Sequence, residues 1–346
     1  MGEVLGLGMT HAPMFQFPDE HMADILRRDL KRDRTPPEMR EVRNWPAQMR
    51  QEWGDDEGLS AARHHREAMV AGFRRLRAEV DAFKPDFVLI WGDDQYENFR
   101  EDIIPPFCVY IYDELECFPY RRSGVIDTPV NVWGKPEDGS ITVQGHRTAG
   151  NYLARNLIQN SFDVAYAFKP LHHPGLGHAF MRTLMYLDYD QRGFPYPIVP
   201  FHVNCYGSDL MRQMQVKLDE GEMLPPAPSP QRCFDLGRQI MRLIEDSPWR
   251  AVVIGSSSWS HAFLTRKNHG LYPDVESDRV RFGELKAGRQ TAWRDLRLDG
   301  LVDAGQHELL NWICLAGAMG ERTPEIVAWE ETYIFNSDKC AALFKS

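Results

Sequence analysis

No stretch of this 346-residue chain approaches the roughly 20 consecutive apolar residues that cross a bilayer. Its start lacks the basic and long apolar regions of a secretory leader. No membrane association is expected, and the cytoplasm is the expected compartment. Positive charge is also in deficit: 40 Lys and Arg against 50 Asp and Glu give a formal net charge of −10. That balance excludes a broad basic surface for nucleic acid or anionic lipid. A small acidic substrate would need a local basic pocket. The six cysteines are scattered with no CxxC pair, so neither a disulfide framework nor a zinc knuckle is expected, only reduced thiols. A glycine-rich phosphate loop, a serine nucleophile elbow, internal repeats and low-complexity segments are absent as well.

What is there is an alternation of buried strands and amphipathic helices, the pattern of an α/β fold. Short apolar, β-branched runs predict strands at 2–8, 85–91, 103–112, 163–168, 197–204 and 251–254. Helices are predicted at 61–83, 142–159, 178–187, 231–244 and from 308 to 319, with helical character over 275–304. Residues 18–55 are rich in Arg, Asp and Pro and read as short polar helices over one end of the sheet. The proline-rich 224–230 is the most linker-like stretch, equally a surface loop. With 43% hydrophobic residues the chain fills a large core, and one domain over 1–346 is expected.

The chemistry-bearing residues gather at predicted strand ends, where ligands collect in open α/β sheets. Ala251-Val-Val-Ile254 runs through Gly255 and three serines to Trp259 and His261. Taken alone, His261 is more often a packed or half-exposed imidazole in an ordinary loop than a catalytic residue. His11 follows the first strand, with a turn residue as its plain alternative. Asp93, Asp94 and Gln95 follow the second, where carboxylates bind metal, pair with arginines or, most often, cap a turn. His178 opens a helix whose dipole favours the neutral imidazole, as a ligand or an inert cap. Glu308 is either a first-turn acid or a ligand aimed into a site. His64 and His65 lie about 100° apart on a helix, so one metal cannot take both, and a solvated pair is expected.

In order and spacing these motifs resemble the class III extradiol ring-cleavage dioxygenases, the LigB-type superfamily, in particular the catalytic β subunits of protocatechuate 4,5-dioxygenases. The likeness runs through Thr10-His11-Ala12-Pro13, the stretch from Pro85 through Gly92-Asp93-Asp94-Gln95 to Phe107, Gly177-His178-Ala179-Phe180, Gly255 to His261, and Glu308 to Met319. It implies a central mixed sheet with helices on both faces, with His11 and Glu308 as metal ligands. It also implies His261 as the acid/base residue and His178 as a second active-site histidine that holds the substrate. The implied reaction is ring opening of a catechol or hydroxylated aromatic acid with O2 and non-haem Fe(II). A homo-oligomer, or a complex with a small separate helical subunit, is implied too; the stretch after Glu308 is expected to be too short to carry that subunit.

One position departs from the pattern. The family's second metal histidine falls on Gln95, and the Asp before it on Asp94. Gln95 or Asp94 is therefore expected in its place, with Asp93 or a distant His64, His65, His172 or His173 as alternatives. Oxygen donors favour harder ions such as Mn(II). The departure also leaves open a metal-dependent hydrolase or decarboxylase on the same scaffold, or a binding protein with a degenerate site. Arg266, Lys267 and His269 stand where a substrate carboxylate could be met, though a solvated basic loop is the commoner meaning of such a run.

Overall fold

A computed structural model describes residues 2–121, 130–208 and 224–345. Its centre is an eight-stranded mixed sheet. The strands are β1 (Glu3–Met9), β2 (Phe87–Gly92), β3 (Phe107–Tyr110), β6 (Ala165–Ala167), β7 (Ile198–Val203), β8 (Arg250–Ser256), β9 (Glu325–Glu330) and β10 (Lys339–Phe344). They lie in the order β6-β3-β7-β2-β8-β1-β10-β9, and β4 (Glu114–Cys117) and β5 (Ile141–Gln144) form a separate two-stranded ribbon. The block β7-β2-β8-β1 is parallel throughout, whereas β10 and β9 add on antiparallel.

Successive side chains of a strand point to opposite faces, and both faces are covered. Val4, Leu89, Trp91, Phe201 and Val253 point into one core, while Leu7, Val88, Ile90 and Ile254 point into the other. The first core is roofed by α4 (Arg147–Gln159), α6 (Pro230–Glu245) and α9 (Leu309–Met319). The second is roofed by α3 (Leu59–Phe83) and α5 (His178–Leu187). Residues 18–55 hold two short helices, α1 (Asp24–Asp29) and α2 (Ala47–Trp53), whose Leu26, Met49 and Trp53 join the second core. The remaining α-helices among the described residues are α7 (Val275–Lys286) and α8 (Leu298–Asp303).

α9 is apolar all round and every residue of it is buried. Two glycines let it approach α6. A Cβ on Gly237 would stand 1.8 Å from the Cys314 carbonyl oxygen, and one on Gly317 1.9 Å from that of Phe234. Backbone therefore touches backbone at this crossing, and the N-terminus of α9, which carries Glu308, is fixed against the sheet.

The sequence reading errs in three places. The helix expected over 142–159 begins only at Arg147, capped by the His146 imidazole. Before it, the β-branched Ile141-Thr142-Val143 pairs with β4 instead. The closing strands β9 and β10 lie outside the expected set: β9 is only half-buried and its pattern is weak, and β10, though fully buried, opens on Lys339 and carries no β-branched residue. Helical character over 275–304 is interrupted at Gly288, which takes φ 69°. The 224–230 segment is a loop that feeds Pro230 into α6, with Ser229 as its cap. All six cysteines are buried and free. No helix among the described residues is long and apolar enough to cross a membrane.

Candidate metal centre

Three neighbouring parallel strands, β1, β8 and β2, end side by side, and the chain beyond each supplies one functional group. His11 comes from beyond β1, Asp93 from beyond β2 and His261 from the loop after β8. Glu308 at the head of α9 and His178 at the head of α5 close the group from either side. His11 Nε2 lies 3.2 Å from Glu308 Oε2 and 3.7 Å from Asp93 Oδ1. His261 Nε2 is 3.5 Å from Glu308 Oε2, and His178 Nε2 is 3.8 Å from Asp93 Oδ2. The rings of His11 and His178 meet edge to face with centroids 5.0 Å apart.

Each imidazole is oriented by what its other nitrogen touches. His11 Nδ1 meets Ser256 Oγ at 2.9 Å. Ser256 in turn meets the Thr183 hydroxyl, which donates to the Ala179 carbonyl. Run in that direction, the relay puts the His11 proton on Nδ1 and leaves a lone pair on Nε2. His261 Nδ1–H donates to the Trp259 carbonyl at 2.9 Å, so its Nε2 is bare as well. His178 differs, because its Nδ1 donates to the Glu97 carboxylate at 2.7 Å and its backbone N–H donates to the other Glu97 oxygen.

The ionisation tendencies follow. Burial drives the His11 pKa down to about 4 despite Glu308 beside it. Burial also lowers His261, again with Glu308 pulling the other way. For His178 burial works against charge, but Glu97 outweighs it and the pKa rises. The helix dipole expected to keep His178 neutral is thus overridden by a carboxylate in direct contact. Asp93 is pushed well up by burial and by the Glu308 charge. Burial opposes charge on Glu308 too, but His261, His11 and the Tyr206 hydroxyl outweigh it and hold that carboxyl below the usual range.

The carboxylates show what the centre lacks. Glu308 Oε1 accepts from the Tyr206 hydroxyl and from Gln95 Nε2 at 3.2 Å. Glu308 Oε2 and Asp93 Oδ2 are buried and accept from no donor. Two bare carboxylate oxygens therefore face imidazole lone pairs inside the protein. Such an arrangement is costly unless a cation fills it. His11, Asp93 and His178 offer ligand atoms all within 4.8 Å of one another. These donors fit a divalent transition metal.

Two expected ligands stand elsewhere. Asp94 is spent on its own loop: its oxygens accept from the backbone N–H groups of Glu97, Asn98 and Phe99. Residues leaving a strand alternate in direction, so Asp93 faces the centre and Asp94 turns away. The spacing of Asp94 to the amides three to five residues on is an ordinary cap and was the available signal. Gln95 meets the centre only through Glu308 and Tyr206. Three of the distant histidines do not reach it: His172 pairs with Asp102, and His64 and His65 face Glu330 and Glu52; His173 comes near only through Glu97, whose charge it favours. His202 is buried against Phe99. Glu97, Tyr206 and Ser256 are partners the sequence reading passed over, since each acts through another side chain.

This arrangement is a candidate metal centre at the carboxyl end of a parallel block. The family model for the catalytic LigB subunit of aromatic ring-opening dioxygenase matches residues 56–338, and the chain belongs to that family. Among its relatives is a 2,3-dihydroxyphenylpropionate/2,3-dihydroxicinnamic acid 1,2-dioxygenase of Comamonas testosteroni. It is 26% identical over 185 residues, 54% of this chain and 46% of the relative. A protein of the same name from Burkholderia vietnamiensis is 27% identical over 235 residues, 67% of this chain and 60% of that one. Another from Paraburkholderia phymatum is 26% identical over 296 residues, 72% and 80% respectively. The chain spans about half the length of the first relatives it matches.

Proposed function

We propose that this protein is an extradiol ring-cleaving dioxygenase that opens a catechol-type substrate with O2 at a divalent metal held by His11, Asp93 and Glu308. Membership of the LigB family supports the reaction. The observation that carries the site is the pair of unpartnered buried oxygens, Glu308 Oε2 facing His11 Nε2 at 3.2 Å and Asp93 Oδ2 facing His178 Nε2 at 3.8 Å, with Asp93 Oδ1 3.7 Å from His11. The ligand set is one imidazole and two carboxylates, with His178 beside it. Fe(II) is the first expectation, and the oxygen-rich set also suits Mn(II). A bound metal would gather the two catechol oxygens and O2 and lower the pKa of the hydroxyls.

The protein's own groups divide the proton work. His261, fixed by the Trp259 carbonyl, presents a bare Nε2 that accepts a hydroxyl proton. His178 gives its Nδ1 proton to Glu97, and the raised pKa that Glu97 confers lets it take a second proton on Nε2, the nitrogen 3.8 Å from Asp93 Oδ2. Gln95 and Tyr206 pin one oxygen of Glu308 so that the other faces His11. The 18–55 segment is tied through Glu52 to Thr332 and Tyr333, from which it accepts. The loop containing those residues also runs to Asn336, whose carbonyl accepts from Ala262 N–H beside His261. In this reading the segment forms one wall of the approach.

The test is metal analysis of freshly purified protein, followed by oxygen uptake with a panel of catechols. One O2 consumed per ring opened is expected. Metal without oxygen uptake would redirect the reading to a hydrolase or decarboxylase, and absence of metal would redirect it to a binding protein.

A further inference from the structure

One strongly charged group in this neighbourhood has no use in the centre described above. Arg182 lies on α5 four residues after His178, so the two stand on one face of the helix, about 6 Å apart along its axis. It is only 6% exposed. Its Nε donates to Gln16 Oε1 at 3.0 Å, and Gln16 is itself anchored by its amide on Met185 Sδ. That is its single protein hydrogen bond among the described residues. Among the described residues no carboxylate comes within ion-pair distance of its terminal nitrogens.

Other half-buried or buried arginines here behave differently. Arg66 binds Asp19, Arg77 binds Asp81 and Asp188, and Arg294 binds Asp235. Holding a guanidinium in so buried a place with no acceptor among the described residues for its terminal N–H groups is costly, so such a group is retained where an anion meets it. Its charge is felt at the centre: it disfavours protonation of both His11 and His178 and interacts with Glu97, Glu308 and Asp93. The basic run after His261 is not a rival, since Lys267 is taken by Asp274 at 2.6 Å.

We infer that Arg182 is the anion anchor of the substrate pocket, receiving the carboxylate of an aromatic acid whose two hydroxyls face His11, Asp93 and Glu308. This rests on the proposed ring-cleaving site and names its substrate class. A spacing of one helical turn between His178 and Arg182 matches a benzene ring carrying a carboxyl-bearing substituent. Gln16 holds the guanidinium by Nε, leaving its planar terminal edge for two parallel N–H···O bonds.

The test compares acid with ester. Metal-loaded protein is titrated anaerobically, by calorimetry, with 3,4-dihydroxybenzoate, 3-(2,3-dihydroxyphenyl)propionate and the methyl ester of each. The expectation is that the wild type binds at least one acid about tenfold or more tighter than its ester. In Arg182→Met this preference should fall to near one, and Arg182→Lys should restore part of it. In turnover, the same change should appear in KM for the acid more than in kcat. Equal binding of acid and ester by the wild type would overturn the assignment without any variant being needed. So would a preference that survives in folded Arg182→Met. If the acid preference depends on Arg182 but no substrate is opened, the anchor stands and the ring-cleaving reading fails.

Discussion

Two clusters in this molecule are built from the same residue types and do different things. At the strand ends, His11, His178 and His261 meet Asp93 and Glu308. Along α3, only His64 is solvated as expected, its Nε2 3.5 Å from Glu330; His65 is buried against Phe335, its Nε2 3.6 Å from Glu52 and 3.9 Å from Glu330. In the outer cluster Glu52 is satisfied, with one oxygen taking the Thr332 hydroxyl and the other the Tyr333 N–H. His64 is largely exposed, so water completes its shell. At the centre each carboxylate keeps an oxygen with no donor. The adjacent pair Asp93 and Asp94 repeats the contrast within two residues. Histidines beside carboxylates do not by themselves mark a candidate metal site; the centre is set apart by two buried carboxylate oxygens without a donor, each facing an imidazole nitrogen.

The largest effect that separates the clusters is on metal content. His11→Ala and Glu308→Ala each remove one of very few donors and should strip most bound metal from folded protein. His64→Ala should leave metal content as it is. Elemental analysis of all three decides it. Full occupancy in both central variants, or loss in His64→Ala, would reverse the comparison.

Next in size is His261. Its Nε2 faces the centre but its role is with protons, so His261→Ala should keep the metal and lose roughly 10²–10⁴-fold in turnover. Steady-state rates measured alongside metal content test this. A few-fold loss would show that His178 alone carries the proton work.

A smaller effect belongs to the groups that act through Glu308. Tyr206→Phe and Gln95→Ala each remove a donor to Glu308 Oε1. Loss of such a supporting bond commonly weakens metal affinity by about 10–100-fold, readable in a competition titration with a chelator. Unchanged affinity in Gln95→Ala, with loss in Tyr206→Phe, would leave Tyr206 as the sole support.

Much of this was legible in the chain. Strand ends carrying His11 and His261, and helix heads carrying His178 and Glu308, follow from hydrophobic periodicity and the position of glycine, proline and serine. The choice among Asp93, Asp94 and Gln95 was not legible by counting back from Phe99. It depends on which way the chain turns after Gly92, and the turn is set by Asp94 capping three amides and by Tyr96 at φ 65°. Tyr206, Glu97 and Arg182 were illegible for a related reason. Each matters through a partner 81 to 102 residues away or more, or through the absence of one, and no local pattern encodes that.

The smallest expected effect concerns a third buried carboxylate, Asp278 of α7, which supports the His261 loop from behind. Both its oxygens accept from the Ser260 N–H, at 3.1 and 3.0 Å, and one also takes Gln306 Nε2 at 2.6 Å. Burial raises its pKa from 3.8 to about 7, with the Ser260 and Gln306 donors pulling down and the Asp274 charge pushing up. Asp338 beside it is raised in the same way, and Lys339 is lowered to about 8 by burial. Because the folded protein keeps this proton where the unfolded chain has released it, the contribution to stability is full below pH 3.8. It is then lost as the pH rises through about 7. Asp278→Asn should therefore flatten the fall in thermal stability between about pH 4 and 7, whatever it does to stability overall. The slope of Tm against pH is the readout, since a merely structural loss would lower every point alike. An unchanged slope would assign the retained proton to Asp338 and leave Asp278 ionised beneath the loop.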